Sequence, residues 1–325
     1  MKTKALALFS GGLDSILAVK LLTDQGLDVE GIAFETPFFS ADRARAAAAD
    51  INLPLHVLNI APSHLAMLKN PRYGFGRNMN PCIDCHTLML KHAGERMAEL
   101  GADLIATGEV LGQRPMSQGR QSLHIVAKNS GYADVILRPL SARLLPETRP
   151  EREGKVQRQR LEAIQGRSRK IQMALAASYG ISSYPPPAGG CLLTDPMFTK
   201  RLRDLFQRQG DPTVSTIELL KYGRHFLTSQ GEKIVVGRNN ADNLAIQRCR
   251  RGEDALIVMQ GMPGPTTLVP GGGDERTRLL ASALCARYAG APLDRDSDVD
   301  CDWDGRITSW AVRPLPRDTE DVRIL

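Results

Sequence analysis

The sequence has no long hydrophobic run. No stretch approaches the ~18 apolar residues that cross a bilayer, which excludes a transmembrane helix and leaves no membrane role to expect. It also lacks the h-region of a secretory signal. Lys2 and Lys4 precede an apolar run, but residues 5–9 fall short of the roughly 7 to 15 apolar residues required, and glycines and Asp14 then interrupt the run. A cytoplasmic protein is expected. Cysteine is sparse, six in 325 residues (Cys82, Cys85, Cys191, Cys249, Cys285 and Cys301). In a reducing compartment these are not structural disulfides, and a closely spaced pair reads as metal binding or catalysis. There is no internal repeat, no G-x-x-x-x-G-K-[ST] loop, no G-x-G-x-x-G fingerprint and no glutaminase nucleophile.

What is present is an ordinary globular composition, 42% hydrophobic and 24% charged, in a chain long enough for two or three domains. Up to about residue 140, apolar strands at 5–9, 29–34, 55–60, 103–107 and 135–140 alternate with helical patterns at 15–22, at 87–100, and from a cap at Ser40 through the alanines to Asp50. This order predicts an α/β fold, a parallel sheet with helices on both faces. The stretch "LLPETRPEREGKVQRQR" reads as a loop or an exposed lead-in to a helix, "SRKIQMALAASYG" as an amphipathic helix, and "YPPPAGG" as an extended segment delivering Cys191. From about residue 205, short strands between turn signals and a helix at 276–288 predict a smaller α+β domain, giving domains at 1–204 and 205–325.

The chemistry begins at "FSGGLDS". A strand, Ser10-Gly11-Gly12-Leu13-Asp14-Ser15 and a helix come in that order. Paired glycines let the backbone approach a ligand closely, the helix N-terminus offers free N–H groups and a positive dipole end, and Ser10 and Ser15 add hydroxyls. This makes a phosphate cradle, with Asp14 suited to Mg²⁺ or to orienting the loop. In "NPCIDCH", Cys82 and Cys85 stand two residues apart, so their thiolates can converge on one metal or cluster. Cys191 comes after two glycines in "PAGGCLLTD". Three readings fit: a zinc site completed by His86 or a distant cysteine, a persulfide relay, or an iron–sulfur cluster on three cysteines. Cys285, in a helical apolar pattern, reads as core.

The formal charge is +6, and arginines crowd between Arg138 and Lys170. Arg143, Arg152, Lys155, Arg158, Arg167, Arg169 and Lys170 suit a polyanion such as RNA; a solvated helix face and loop is the other reading. The aspartates of "DRDSDVDCDWD" lack the glycine and glutamate of a calcium loop and read as a solvated strand face.

S-G-G-x-D-S directly after the first strand resembles the pyrophosphatase loop of the ATP pyrophosphatase superfamily, whose members adenylate a carbonyl or carboxylate oxygen and release pyrophosphate. "ATGEVLGQRPMSQ" resembles a segment of tRNA 4-thiouridine synthases, "NPCIDCH" is similar to the N-P-C-x-x-C-N of tRNA 2-thiouridylases, and "RPL" at Arg138 fits the synthase pattern. The resemblance runs over roughly residues 3–200. It departs from the familiar synthase in starting at the ATP loop without a THUMP region and in having no rhodanese-like segment after residue 205. It is similar instead to the compact branch in which three cysteines hold a 4Fe-4S cluster.

The resemblance implies an ATP- and Mg²⁺-dependent tRNA sulfurtransferase that adenylates O4 of a tRNA uridine, uridine 8 in particular. Sulfur from cluster-bound hydrosulfide then makes 4-thiouridine, with inorganic sulfide or a cysteine desulfurase as the source. Asp14, Cys82, Cys85 and Cys191 carry the reaction, the three cysteines as cluster ligands. Ser10, Gly11, Gly12, Asp14, Ser15, Gly108, Glu109 and Gln113 hold the nucleotide. "LLKYGRHF" and "KIVVGRNNADN" resemble the RNA-binding domain of the NFACT family, which adds Arg224 and Arg238 to the expected RNA contacts. The alternatives are a cluster-free persulfide 2-thiouridylase and a zinc-stabilised RNA-binding protein with a vestigial ATP loop.

Overall fold

The computed structural model describes residues 2–184, 190–209 and 212–325. The chain divides into two compact units, Met1–Thr194 and Asp195–Leu325.

The first unit runs through β1 (Lys4–Leu8), α1 (Leu13–Thr23), β2 (Asp28–Glu35), α2 (Asp42–Asp50), β3 (Leu55–Asn59), α3 (Ala61–Lys69), α4 (Cys82–Glu99), β4 (Leu104–Thr107), α5 (Arg120–Ser130) and β5 (Ile136–Leu137), with α6 (Arg149–Arg152) and α7 (Lys170–Ser178) after them. The five strands pair in parallel in the order β3-β2-β1-β4-β5. Both faces of β1 are covered, so its residues are apolar from Ala5 onward. Ala5 and Ala7 pack with Ile16, Val19 and Leu22 of α1 and Ala44 and Ala48 of α2. Leu6 points the other way, into Leu90, Ala93 and Met97 of α4 and Val126 of α5. That alternation is the period-two geometry of a strand between two helical layers.

Strand order reverses at β1. Its chain continues to β2 on one side, while β4 lies on the other. The loops leaving β1 and β4 at their C-terminal ends therefore diverge and open a crevice, the place where open α/β sheets bind ligands.

Some expectations shift. Ser40 does not cap α2: Ala41 is at the N-cap position, and no side chain caps the helix. Helix α4 starts at Cys82 rather than at residue 87, with Pro81 in the N-cap position, so the cysteine pair lies on the first turn of the helix and not before it. The last strand shrinks to Ile136–Leu137 because Arg138 turns inward to Glu109. The arginine-rich stretch holds α6, whose Thr148 and Glu151 cap each other reciprocally, the T-x-x-E signature of a helix start. Of the extended segment expected at "YPPPAGG", residues 185–189 lie outside the described residues.

The second unit opens with α8 (Pro196–Arg208) and α9 (Val214–Leu219). Asp195 caps α8 by accepting from Phe198 N at 2.7 Å. The unit boundary lies ahead of residue 205 because α8 buries Phe198, Leu202 and Leu205 and its Arg201 Nη1 donates to Leu220 O at 2.9 Å. β6 (Arg224–Thr228), β7 (Lys233–Val236), α10 (Asn240–Cys249), β8 (Ala255–Met259), β9 (Thr267–Val269), α11 (Glu275–Ala289), β10 (Ser297–Trp303), β11 (Arg306–Val312) and β12 (Val322–Ile324) complete it. The strands form an antiparallel sheet in the order β11-β10-β8-β9-β7-β6-β12. Ile234 and Val236 of β7 face Leu284 and Cys285 of α11, and Val235 faces Ile246 of α10. On β10, Val299 and Cys301 turn inward and the aspartates outward. Among the described residues no helix is long and apolar enough to cross a membrane.

Candidate functional site

Residues 10–15 occupy the crevice at the strand-order reversal. Gly11 has φ +71°, and a Cβ there would run into the Arg43 carbonyl. Gly12 sits at the N-cap of α1 with no side-chain cap, so the first amides of the helix stay available to an anion. Ser15 Oγ donates to Gly12 O at 2.7 Å, and Ser10 Oγ lies 3.4 Å from Ser15 Oγ. From β4, Gly108 closes onto this loop: a Cβ would come within 2.6 Å of Ser15 N and 2.7 Å of Asp14 C. Gln113 Nε2 donates to Asp14 Oδ2 at 3.0 Å. Asp14 Oδ1 and Gln113 Oε1 are buried without a hydrogen-bond partner. Orphaned acceptors at a ligand crevice are what a bound cation or nucleotide donor would satisfy, so Asp14 fits the expected Mg²⁺.

Glu109 has a different environment from the loop residues. It is 7% exposed and accepts from His86 Nδ1 at 2.9 Å on one oxygen, and from Arg138 Nε at 2.9 Å and Thr107 Oγ1 at 3.2 Å on the other. Burial alone would raise its pKa. Arg138, with His86, outweighs that and holds the carboxyl at about 2. Glu109 therefore ties β4 to the first turn of α4, where the cysteines stand.

Cys82, Cys85 and Cys191 come into one electrostatic neighbourhood. Burial pushes the Cys85 thiol up, and Cys191 and Cys82 push it further. Burial also raises Cys191, to about 11, with Cys82 adding to the shift. Asn80 Nδ2 donates to Cys82 Sγ at 3.3 Å, and Cys85 Sγ lies 3.4 Å from His64 Nε2. His64 is buried against the Phe38 and Phe39 rings, and burial lowers its pKa to about 4, so it is neutral at pH 7. Leu192 N donates to Phe38 O at 2.9 Å and Asn78 Nδ2 to Thr194 O at 2.7 Å, which anchors the segment that carries Cys191. Among the described residues no three His, Cys, Asp or Glu side chains form a group able to hold a metal ion. A donor set of three thiols is nonetheless the chemistry of an iron–sulfur cluster.

The basic stretch is largely paired within its own unit. Arg152 meets Asp134 at 2.7 Å, Lys155 meets Asp103 at 2.8 Å and Glu153 at 3.2 Å, and Arg158 meets Glu151 at 2.7 Å. Arg169 has its Nε buried without a partner. Arg143, Arg167 and Lys170 are exposed. In the second unit, Arg238 pairs with Asp242 at 2.5 Å, and Arg224 lies 4.7 Å from the Tyr288 ring centroid. His64, Asn80, Thr107 and Arg138 join the site although motif reading did not mark them for it. The asparagine ahead of the first cysteine and the arginine of "RPL" were the signals available; His64 left none.

Residues 1–143 match the family model described as thiamine biosynthesis protein (ThiI), and residues 223–321 match the NFACT protein RNA binding domain. A tRNA-specific 2-thiouridylase of Syntrophotalea carbinolica is 35% identical over 32% of this chain and 33% of its own. A probable tRNA sulfurtransferase of a Thermoanaerobacter species is 28% identical over 42% of this chain and 36% of its own. The chain thus spans about a third of the length of these curated relatives. Among solved structures, the predicted subunit of tRNA methyltransferase from Methanocaldococcus jannaschii overlays 42% of this chain and 67% of its own, at 15% identity and a TM-score of 0.33. The first unit is therefore similar to the ThiI family model and, over part of its length, to proteins named for tRNA thiolation.

Proposed function

We propose that the protein is an ATP-dependent tRNA sulfurtransferase that converts a tRNA uridine, O4 of uridine 8 in particular, to 4-thiouridine. The observation that carries this is the pair of orphaned acceptors, Asp14 Oδ1 and Gln113 Oε1, in the crevice where Gly108 closes on the glycine loop. The loop amides, Ser10 and Ser15 would hold the phosphates of ATP, and Asp14 would hold the Mg²⁺ that neutralises their charge. The uridine carbonyl oxygen attacks the α-phosphorus and pyrophosphate leaves. A poor leaving group has become AMP, which sulfur then displaces at carbon. Cys82, Cys85 and Cys191 are the residues that would hold a 4Fe-4S cluster, and such a cluster would supply sulfur kept deprotonated near neutral pH. Neutral His64 and Asn80 orient the thiols that would hold it. Arg143, Arg167 and Lys170, with Arg224 of the second unit, hold the tRNA backbone, and the target base leaves its stack to enter. The sulfur comes from inorganic sulfide or a cysteine desulfurase.

A cluster-free persulfide mechanism at uridine C2 is the second reading, favoured by the likeness to 2-thiouridylases. The test is anaerobic protein assayed for iron, for tRNA-dependent pyrophosphate release and for the thiolated nucleoside by mass spectrometry. Iron with acid-labile sulfide and 4-thiouridine support the first reading. Active protein without iron, making 2-thiouridine, supports the second. No tRNA-dependent pyrophosphate release refutes both.

A further inference from the structure

Ten residues ahead of Cys82 the chain reads Arg72-Tyr73-Gly74-Phe75-Gly76-Arg77. Aromatic residues make up only 5% of the protein, yet Tyr73 is 39% and Phe75 43% exposed. Arg72 and Arg77 are exposed beside them, and the Arg72 guanidinium lies 5.6 Å from the Tyr73 ring centroid. Rings of this size normally gain by burial, so their position on the surface needs a cause.

The backbone supplies it. The Asp84 carboxylate accepts from Arg72 N at 3.1 Å and Tyr73 N at 3.0 Å. Gly74 turns the chain with φ +71°. Gly76 N donates to Asn80 O at 3.0 Å, and a Cβ on Gly76 would meet the Asn80 amide at 2.5 Å. Asn129 Nδ2 donates to the Tyr73 hydroxyl at 2.8 Å. The rings are thus held outward on a pinned loop.

The pins belong to the cysteine site. Asp84 stands between Cys82 and Cys85 in the chain, and Asn80, which closes the loop, donates to Cys82 Sγ. Asn78 bonds Thr194 O, three residues past Cys191. Exposed rings interleaved with arginines, fixed beside a reactive centre, match the way proteins hold unpaired nucleotides: bases stack on the rings while guanidinium groups meet the phosphates. A protein partner calls for a continuous apolar patch, and the residues that flank these rings in the chain are glycine and arginine.

We propose that residues 72–77 are a stacking platform for unpaired nucleotides flanking the base that enters the site. The proposal rests on the tRNA-thiolation reading for the identity of those nucleotides. Its ligand class, single-stranded RNA, comes from the loop.

The test uses the full chain with Phe75→Trp, whose emission, after subtraction of the wild-type signal, reports on the loop itself. The titrants are a uridine decanucleotide and a blunt RNA duplex. The expected result is saturable quenching by the single strand and none by the duplex. In the same background, Tyr73→Ala weakens the single strand about 5- to 150-fold, the range for one lost base–aromatic stack. Tyr73→Phe, which keeps the ring, retains the parent affinity. No quenching of the introduced tryptophan, equal quenching by duplex, or a Tyr73→Ala variant of parent affinity overturns the proposal. Failure of the thiolation reading shows separately, as wild-type protein without tRNA-dependent pyrophosphate release while single-strand quenching of the Phe75→Trp variant persists.

Discussion

Replacing Glu109 by glutamine keeps the shape of a buried side chain and removes its charge. Arg138 is 7% exposed, and Glu109 is its ion-pair partner at 2.9 Å. The variant leaves a guanidinium inside the protein without a counter-charge, and removing one partner of a buried pair costs about 3–5 kcal/mol. The acid's own titration leads to a similar figure. Burial opposes ionisation, but Arg138 and His86 hold the carboxyl at about 2 instead of 4.5, which at 1.36 kcal/mol per unit is roughly 3 kcal/mol. Because the folded pKa is depressed, this stability is complete above about pH 4.5 and is lost as pH falls toward about 2. The assay is urea unfolding of wild type and Glu109→Gln by far-ultraviolet circular dichroism. Trp303 and Trp310 are the only tryptophans, and both lie in the second unit, so their fluorescence is an internal reference. The expected outcome is a loss of about 3 kcal/mol at pH 7, carried by the first unit, with the difference between the proteins narrowing by about half or more near pH 3. A loss under ~1 kcal/mol, a difference independent of pH, or an equal shift in the tryptophan transition would refute the reasoning, since a buried unpaired charge costs more than that.

The same geometry sets other outcomes. Gly108→Ala drives a Cβ into the Ser15 and Asp14 backbone; displacing the loop by a fraction of an ångström should cut pyrophosphate release about 100-fold with the dichroism spectrum unchanged, and wild-type release would disprove the close approach. Gln113→Ala removes the donor to Asp14 Oδ2 and should raise the KM for Mg·ATP about tenfold, the scale of one charge-assisted hydrogen bond; an unchanged KM would remove Gln113 from the nucleotide site. Cys191→Ala should abolish thiolation and spare pyrophosphate release, and retained thiolation would exclude that cysteine. Alanine at Arg143, Arg167 or Lys170 should lower the salt dependence of tRNA binding by about one unit of slope each, while Arg152→Ala and Lys155→Ala leave it unchanged because Asp134 and Asp103 already neutralise them. The reverse pattern would move the RNA contact to the paired residues.

The parallel sheet was legible because its strands are covered on both faces and so read as apolar runs. The glycine loop was legible because tight backbone approach admits only glycine, and Gly11 and Gly108 meet other backbone where a Cβ would stand. Helix boundaries were less so. The start of α4 moved back to Cys82, and the capping box at Thr148 and Glu151 went unread inside a charged, proline-bearing stretch. The basic stretch shows the limit most clearly. Its composition suggested a polyanion surface, yet Arg152, Lys155 and Arg158 meet carboxylates supplied by Asp134, Asp103 and Glu151.

By itself, the sequence determined which residue types stand where: a glycine loop at Ser10 to Ser15, thiols at Cys82, Cys85 and Cys191, and a second unit of short strands. Those are local properties of backbone freedom, spacing and hydrophobic period. Only the tertiary structure decided which of these groups come close to one another. The strand order β3-β2-β1-β4-β5 sets Gly108 on Asp14, Glu109 on His86 and Arg138, and Cys191 within electrostatic reach of Cys82. The physical reason is that such contacts join positions far apart in the chain. Their energies depend on burial and on which partner the sheet brings close, and neither is written in the neighbouring residues.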